Sequence, residues 1–582
     1  MKFKPLLLLA VLLLPLSCNQ RLKDGQYTLT VLSTNDVHGS WFDSTYIGTG
    51  VKKSLFAVNT YVDSVRQADG AQNVLLVEVG DCLQGDNAAY YYNYVDTLSP
   101  HLFPRLIHYM GYDAVVWGNH DVETGHRVYD RVNKELAGYG VPFLAGNAIR
   151  DDNGKSYFPL YKMVNKAGLR IAVLGYENAN INAWLAEEVW SGMHFDSIAA
   201  RVQADVDAVR AKEHPDVVVV GVHSATGEGD GTNPESEGLD VFNKVRGVDF
   251  VLTSHDHRPV TITRDTMALM NSGSHARFLA HGKLHLEVKD GQIVSKRYET
   301  DLIPVDPQRA DPAMCAAFRP EFEAVRAFTR QEVGSLNITL RSREAYVGRC
   351  PYVDLVHTLC MQYTHTDLSI AAPLSFNTTV PEGTLIFNDL FSIYPFENQL
   401  YVIRMTGDEI QRYLEASYDR WICTWTRPGD HVLQIVPRDD PRTQQKRWSF
   451  VGFTYNFDSV AGINYTVDVT KPRGQRICIT SMADGSAFDA AREYTVALTS
   501  YRASGGGNLL DEVGIDTDKI DSRVVARYPE IRKVLYQRLQ EDDSIDPEEI
   551  SDTALLGNWE FVPVAIARPA LEADMKLVFG KN

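Results

Sequence analysis

The chain has 582 residues, a formal net charge of −18, 44% hydrophobic residues and 10% aromatic residues. This length is too great for one hydrophobic core and predicts roughly two to four domains, and the composition excludes a disordered scaffold. The negative charge, with no Lys/Arg-rich run, excludes a binder of nucleic-acid polymers. A small anionic substrate would need local positive charge, which metal ions supply.

The N-terminal segment has the features of an export signal. Two lysines precede an apolar stretch from Leu6 to Leu16, which is too short to span a bilayer. The ending Leu-Ser-Cys resembles a bacterial lipobox, which implies that Cys18 becomes the lipidated first residue of the mature protein. We therefore predict a lipoprotein signal peptide over residues 1–18 and a location on the periplasmic or cell-surface face of a membrane. Ordinary cleavage nearby is the alternative.

Residues 27–305 alternate apolar, β-branched runs with amphipathic segments, as in LTVLST, NVLLVEV, AVVW, RIAVLGY, DVVVVGV and DFVLTS. This alternation predicts a layered α/β domain with a largely buried sheet. A helix is expected from Ile198 to Glu213, because Val202, Val206 and Val209 share one face. No later run reaches about 18 apolar residues, so the lipid anchor is the only membrane contact expected.

The rest of the chain divides into three parts. Residues 306–336 begin with two prolines and continue as the helical pattern FEAVRAFTRQEV, which predicts a linker or hinge helix. Residues 337–540 mix strand-like runs (QLYVIRM, YTVALTS) with helical ones such as VDLVHTLCMQY, as expected for a second domain. Residues 541–582 form a C-terminal extension, in which FVPVAIARP is expected to be a strand that packs on the body.

Five apolar runs of the first domain end in polar residues able to bind metal ions. In chain order these residues are Asp36 and His38, Asp81, Asn119, His223, and His255 with His257. Sites in open α/β sheets form at the carboxyl ends of strands, so the seven side chains are expected to converge. Residues i and i+2 of an extended segment point to the same side, which predicts that His255 and His257 present paired ligands, as do Asp36 and His38.

The ligand types predict the cofactor. Imidazole and oxygen ligands without thiolate suit Zn, Mn, Fe or Co, and the sequence does not choose among them. We expect two divalent ions roughly 3.5–4 Å apart, since such a pair orients a hydroxide and stabilises an in-line displacement at phosphorus. Asp81 is the expected bridging carboxylate.

The motifs DVH, GDCLQGD, GNHD, GVHSATG and SHDH, in this order, resemble the calcineurin-like metallophosphoesterases. STNDVHG and GDCLQGD resemble the branch that contains the bacterial 5′-nucleotidases and the 2′,3′-cyclic-nucleotide 2′-phosphodiesterases (3′-nucleotidases). The resemblance implies a four-layer sandwich of two mixed β-sheets flanked by helices. It also implies one ion held by Asp36, His38, Asp81 and His257, and another held by Asp81, Asn119, His223 and His255.

The same resemblance gives His120 the catalytic position beside the metals. A histidine there can donate to a developing alkoxide. Relatives often have Asp or Asn three residues after this histidine, where this chain has Glu123. Glu123 is therefore expected to orient His120, with Asp121 as the competing partner.

The stretches SIAAPLSFNTTVPEGTLIFNDLFSIYPFENQLYVIRMTGDEI and YTVALTSYRASGGGNLL resemble the α/β substrate-binding domain found C-terminally in nucleotidases. In that family two aromatic rings sandwich the base, and stacking is worth about 1–3 kcal/mol per base. By motif position the rings are Phe396 and Tyr501, with Tyr394 as an alternative to the first. Asn398 and Arg502 complete the predicted substrate-binding set.

Two departures from the family bear on the substrate. Many 5′-nucleotidases have an arginine where this chain has Asn377, and a ribose-binding aspartate where it has Gly507. The motifs AAP, YP with EN, and SYRASGG look closer to the 2′,3′-cyclic-nucleotide enzymes. We therefore expect a monomeric, two-metal hydrolase of small nucleotide substrates (2′,3′-cyclic, 3′- and/or 5′-nucleotides) that serves nucleoside and phosphate salvage. The alternatives are hydrolysis of a nucleotide sugar or another phosphate ester, and an inactive nucleotide-binding surface lipoprotein.

Overall fold

The structure, a computed structural model, describes residues 22–231, 233–439 and 446–580. The predicted signal peptide and Cys18 lie outside these residues. Among the helices that the structure describes, none combines the length and the apolar character needed to cross a membrane.

Two six-stranded sheets, each mixing parallel and antiparallel neighbours, form the centre of the first domain. The strands of the first sheet lie in the order Gln292–Pro304, Phe278–Lys289, Gly25–Thr34, Val74–Val79, Ala114–Val116 and Phe143–Leu144. Those of the second lie in the order Pro259–Thr263, Ala268–Ser272, Phe250–Leu252, Val217–Val222, Leu169–Tyr176 and Tyr161–Lys166. Apolar side chains of both sheets, such as Val31, Val77 and Val219, form one fully buried core.

Helices cover the outer face of each sheet, which gives the predicted four-layer sandwich. The first sheet shares a core with Leu55–Asp69, Leu102–Met110 and His126–Gly138, and the second with Ile198–Glu213 and Gly238–Lys244. Since both faces of the sheets are covered, central strands such as Val217–Val222 are buried at every residue. The helix predicted from Ile198 to Glu213 has these bounds and buries the three valines. Shorter elements are the helices Asn87–Tyr90, Asn119–Val122, Ile181–Trp184 and Glu187–Trp190 and the strand pair Ala148–Arg150 and Met193–Phe195.

The interval 306–336 contains more than a linker helix. Two helices, Pro312–Ala317 and Arg319–Thr329, pack on the first domain, where Phe318 and Phe322 join its core. The next residues, Glu332–Leu336, form a strand of the second domain.

A five-stranded sheet lies at the centre of the second domain. Its strands lie in the order Ser459–Ala461, Leu368–Ala371, Glu493–Thr499, Gln399–Thr406 and Val524–Glu530. The longer helices are Pro351–Thr364, Phe387–Ile393, Gly407–Trp421, Ile531–Asp542 and Val564–Phe579. Smaller sheets join Gly383–Ile386 with Glu332–Leu336 and Ser544–Ile545, Ile477–Met482 with Ile463–Asp468 and Trp559–Val562, Leu340–Arg341 with Thr379–Val380, and Ile435–Asp439 with Lys446–Phe450. The predicted strands QLYVIRM and YTVALTS are antiparallel neighbours in the central sheet.

The strand predicted for FVPVAIARP is largely wrong. The strand Trp559–Val562 pairs with Ile463–Asp468, but the helix Val564–Phe579 begins two residues later. Its buried residues, Ala567, Leu571, Asp574 and Val578, follow a helical period that is visible only beyond the short apolar run.

Candidate metal centre and active-site cleft

The seven predicted metal ligands converge where the carboxyl ends of strands from both sheets meet. Strands of the first sheet are followed by Asp36 with His38, by Asp81 and by Asn119. Strands of the second sheet are followed by His223 and by His255 with His257. Two groups of ligand atoms, each within 4.8 Å of one another, are Asp36, His38 and His257, and Asp81, His223 and His255. The structure therefore has two candidate metal sites.

In the first group two imidazoles face one carboxylate. His38 Nε2 and His257 Nε2 are 3.0 Å apart, and Asp36 Oδ1 lies 3.5 Å from the latter and 4.0 Å from the former. The Asp36 carboxylate is held in place by the backbone amide of His255 at 2.9 Å and by the Asn35 side chain at 2.6 Å. Two nitrogens and an oxygen directed at one point form a suitable donor set for a divalent cation.

In the second group lone pairs face one another. His223 Nδ1 lies 2.8 Å from the Val79 carbonyl oxygen, so a neutral imidazole that donates there presents its Nε2 lone pair to Asp81 Oδ2 at 3.2 Å and to Asn119 Oδ1 at 3.0 Å. The buried Asp81 Oδ2 has no hydrogen-bond partner among the described residues. His255 Nδ1 lies 3.0 Å from Asn119 Oδ1. Buried acceptors that face one another are costly unless a cation lies between them, so these residues fit a metal ion.

The backbone at the ligands is strained. Asp36, His38, Asp81, His255 and His257 have φ values of 48°, 46°, 60°, 67° and 57°. Such left-handed conformations cost non-glycine residues about 1–3 kcal/mol each and cluster at functional sites. The prediction that Asp36 with His38, and His255 with His257, form pairs on extended segments is wrong, because all four residues have left-handed backbones. Asp36 and His38 still share one group, whereas His255 and His257 lie in different groups.

Two glycines let the loops approach closely. A Cβ on Gly118 would lie 2.2 Å from the Asp81 nitrogen, and one on Gly80 would lie 2.5 Å from His223 Nδ1. These positions therefore exclude any side chain, in addition to allowing a turn.

Glu123, and not Asp121, contacts the imidazole of His120. Glu123 Oε2 lies 2.7 Å from His120 Nδ1 and also accepts from Gln84 Nε2 at 2.7 Å. Burial lowers the pKa of His120, but the carboxylates of Asp81 and Glu123 outweigh it and raise this pKa to about 9. The backbone amide of His120 donates to Asp81 Oδ1 at 2.8 Å, which ties the catalytic candidate to the metal centre.

Asp121 instead supports the ligand loops. Its two carboxylate oxygens accept the backbone N–H groups of Asp81, Cys82, Leu83 and Gly118 at 2.8–3.0 Å. These bonds fix the loop that carries Asp81.

A cavity of about 500 Å³ lies between the two domains. The first domain contributes Asn119, His120, Glu123 and His255 to its lining, and the second contributes Asn398, Tyr501 and residues 505–508. One cleft therefore contains both metal-site residues and predicted substrate-binding residues.

The predicted substrate-binding residues differ in their placement. Asn398 and Tyr501 line the cavity, whereas Phe396, although 39% exposed, is not among its lining residues. Tyr394 is buried, and its hydroxyl accepts from the Asn398 amide at 3.3 Å, so it cannot stack on a base.

The structure does not support the predicted ligand contact of Arg502. Arg502 is 3% exposed, and its guanidinium forms an ion pair with Asp458 at 2.9 Å. It also donates to the Tyr455 carbonyl oxygen at 3.1 Å and lies 5.4 Å from the centroid of the Tyr501 ring. Arg502 therefore packs against Tyr501 and does not face the substrate. The sequence alone does not distinguish such a buried arginine from an exposed one.

Several residues of the site were not predicted. Trp184 stacks on the His255 ring at 5.2 Å, and Glu235 lies 3.2 Å from His255 Nε2. His275 lies 5.1 Å from His38, centroid to centroid. Glu235 lies in a glycine-rich segment and Trp184 in a short helix, and neither stretch has a metal-ligand pattern that could have found them.

Comparison with known proteins agrees with this geometry. Residues 29–259 match the calcineurin-like phosphoesterase family, and residues 328–512 match the 5′-nucleotidase C-terminal domain. The trifunctional nucleotide phosphoesterase of Bacillus subtilis is 21% identical over 94% of this chain, which spans only 40% of that protein. The 2′,3′-cyclic-nucleotide 2′-phosphodiesterase/3′-nucleotidase of Haemophilus influenzae is 24% identical over 92% of this chain and 88% of the relative.

Solved structures share the fold over most of the chain. A Staphylococcus aureus protein assigned as a 5′-nucleotidase superposes with a TM-score of 0.73 at 19% identity, covering 92% of this chain and 99% of that one. The 5′-nucleotidase precursor of Thermus thermophilus gives 0.58 at 18% identity, covering 92% and 100%. The chain is therefore a hydrolase of the metallophosphoesterase/5′-nucleotidase family, with a calcineurin-like phosphoesterase domain followed by a 5′-nucleotidase C-terminal domain.

Proposed function

We propose that this protein is an exported, lipid-anchored enzyme that hydrolyses phosphate esters of nucleotides, 2′,3′-cyclic and 3′-nucleotides in preference to 5′-nucleotides. The observation that carries the proposal is the shared cleft, in which His120 and Glu123 line the same cavity as Tyr501 and Asn398. A ring and an amide suit the base of a nucleotide, and the metal-site residues suit its phosphate.

The chemistry divides between the metals and the protein. Two divalent ions held by the seven ligands would neutralise phosphate charge and activate the attacking water. Glu123 occupies His120 Nδ1, which leaves Nε2 to contact the substrate. A protonated imidazole at that place donates to the departing oxygen as negative charge develops on it. Burial of Asp36, Asp81 and His223 limits water on one side of the phosphate and strengthens these interactions.

The preference among nucleotides follows from the loop at Gly507. The Cβ of any side chain there would lie 2.4 Å from Asn456 Oδ1 and 2.6 Å from Arg502 Nη1, and Gly507 has φ +71°, so the ribose-binding aspartate of many 5′-nucleotidases would have to displace both side chains on a strained backbone. Substrates whose phosphate occupies the 2′ and 3′ oxygens do not need a carboxylate to hold both hydroxyls. The names of the relatives from Haemophilus influenzae, Yersinia enterocolitica and Salmonella typhimurium support the same preference.

A substrate panel tests the proposal. Protein loaded with Mn²⁺ or Zn²⁺ is given 5′-AMP, 3′-AMP, 2′,3′-cyclic AMP or a UDP-sugar, and the products are separated by chromatography. We expect kcat/KM to be highest for the cyclic and 3′-nucleotides. Faster cleavage of the UDP-sugar would favour the nucleotide-sugar alternative. No hydrolysis of any compound would favour an inactive binding protein.

The anchor is tested separately from the activity. In a bacterial host, Cys18→Ala should abolish incorporation of labelled palmitate and release the protein from the membrane fraction. Its phosphate release should stay within about twofold of the parent, because residue 18 precedes the catalytic domain. Palmitate labelling that persists in Cys18→Ala would contradict the lipidation site.

A further inference from the structure

A buried arginine lies behind the segment that carries Phe396 and Asn398. Arg532 is 2% exposed, and its Nη2 donates to the Phe396 carbonyl oxygen at 3.0 Å. The same nitrogen lies 3.6 Å from Glu397 Oε1. The preceding amide, that of Ile531, donates to the Asn398 carbonyl oxygen at 3.1 Å. Three consecutive residues, 396–398, are therefore held by the start of one helix.

Arg532 also lies at the contact between the two domains. Its guanidinium carbon is 3.7 Å from the centroid of the Phe391 ring and 5.8 Å from that of Tyr90, a residue of the first domain. Tyr90 packs on Phe387 and Phe391 of the second domain at 5.4 and 5.9 Å. Movement of Arg532 would therefore disturb both the 396–398 segment and the surface that faces the catalytic domain.

Fold stability does not account for this buried charge. Glu397 is 3% exposed, and its Oε1, like Nε and Nη1 of Arg532, has no hydrogen-bond partner among the described residues. Removing two charges from water is costly, and apolar residues of similar volume are often at least as stable in such places. The Arg532–Glu397 pair is thus better explained by a role in fixing the position of residues 396–398.

We infer that Arg532 is a positioning residue that holds residues 396–398 in the orientation from which Phe396 and Asn398 contact the nucleoside. The inference rests on the proposed function and on the predicted stacking role of Phe396, whose ring does not line the cavity but is 39% exposed two residues before the cavity-lining Asn398. Asn398 lines the same cavity as Glu123 and His120, which places the segment beside the catalytic pair. Arg532 therefore sets the affinity for the nucleoside part of the substrate and leaves the phosphate chemistry unchanged.

The test compares a nucleotide with the base-free ribose phosphate of the same phosphate position. Arg532→Met should raise KM for the nucleotide on the order of tenfold, the loss expected when one stacking contact is misplaced. The value of kcat, and KM for the ribose phosphate, should change by less than about twofold. In the Phe396→Ala background, Arg532→Met should add less than about twofold, because both changes remove the same contact.

Arg538→Met is the matched control. Arg538 lies on the same helix, six residues after Arg532, and forms an ion pair with Glu549 at 2.8 Å. It should leave both substrates unaffected. If Arg532→Met does not fold, Arg532→Lys replaces it; this variant keeps the charge but loses the forked donor, and KM should again rise for the nucleotide alone.

The outcomes separate the inference from the proposed function. Equal losses on both substrates, or effects of the Arg532 and Phe396 substitutions that multiply, would overturn the positioning role. A parent protein that prefers nucleotide to ribose phosphate, with an Arg532 variant that keeps this preference, would reject the inference alone. A parent protein without this preference would reject the proposed function, and with it the basis of the inference.

Discussion

On the metal side of the cleft two carboxylate ligands are buried on strained backbones, whereas on the nucleotide side the aromatic residues Phe396 and Tyr501 are partly exposed. Asp36 and Asp81 are at most 1% exposed, and both have left-handed backbones. Tyr501, by contrast, is 39% exposed beside the glycine-rich stretch 505–507. We thus assign the reaction to the metal side of the cleft. The choice of substrate belongs to the more exposed nucleotide side, where sequence changes are better tolerated.

The residues that hold the functional side chains in place also differ between the two sides of the cleft. On the metal side, Asp121 accepts four backbone N–H groups and fixes whole loops. On the nucleotide side, single arginines, Arg502 and Arg532, hold individual ring-bearing segments. Substitutions on the metal side should therefore lower kcat or metal content, and those on the nucleotide side should raise KM.

The largest effect is expected from Asp81→Ala. Asp81 Oδ1 holds the His120 amide and Oδ2 faces His223, so its loss removes a ligand and displaces the catalytic candidate. Loss of metal charge stabilisation should lower kcat/KM by about a thousandfold or more. Elemental analysis should find fewer than two ions per chain. The exposed Asp152→Ala serves as control, and a variant that keeps both ions and its activity would contradict the site.

His120→Asn should have the next largest effect. It removes the imidazole while the seven ligands remain, so kcat should fall by about 10²–10⁴-fold with both ions still bound. Steady-state kinetics and metal analysis measure the two quantities on the same sample. His194→Asn, at a half-exposed histidine remote from the ligands in sequence, should leave both quantities unchanged. A loss of metal in His120→Asn would instead make this residue part of the metal site.

Asp121 and Glu123 provide a matched comparison of two carboxylates, one in the short helix Asn119–Val122 and one directly after it. Asp121→Asn places an N–H group among four N–H donors, so metal affinity should fall about 10–100-fold, as for other groups that orient metal ligands. Glu123→Gln should lower kcat by about tenfold with metal content unchanged, because only the orientation of His120 is lost. Metal titration of both variants distinguishes them. The opposite assignment of effects would restore Asp121 as the partner of His120.

The sequence predicted the residues on the metal side of the cleft better than those on the nucleotide side. Each metal ligand follows an apolar run, so the end of a buried strand marks its position, as with Asp81 after NVLLVEV. The helix Ile198–Glu213 was likewise predictable from its buried valines. Burial of Arg502 depends on contacts with Asp458 and Tyr455, residues more than 40 positions away, and no local pattern encodes these contacts. The left-handed backbones of His255 and His257 were not predictable either, since only a few per cent of non-glycine residues adopt this conformation, although histidine is enriched among them.

Tyr501→Ala should have a smaller effect, confined to binding. Loss of one stacking ring should raise KM for a nucleotide about tenfold and change kcat by less than about twofold. The base-free ribose phosphate should show no change in KM. Tyr139→Ala removes a ring of similar exposure, 42%, that stacks on His108 in the first domain, and should be neutral for activity. An equal effect on both substrates would mean that Tyr501 contacts the phosphate or the ribose instead of the base.

The smallest effect is expected from Gly507→Asp, which restores the aspartate of many 5′-nucleotidases. Gly507 has φ +71°, and its new Cβ would collide with Asn456 and Arg502, so the free energy of unfolding should fall. Gly485→Asp is the control, because Gly485 has φ +83° and open space around its Cβ. It should lose about 1–2 kcal/mol from backbone strain alone. Urea unfolding should show a further loss of about 1–3 kcal/mol in Gly507→Asp, the usual cost of overpacking. Because the loop cannot present the carboxylate without moving, kcat/KM for 5′-AMP should not rise. A variant as stable as Gly485→Asp that gains activity on 5′-AMP would show that a single side chain, and not the backbone of this loop, selects the nucleotide.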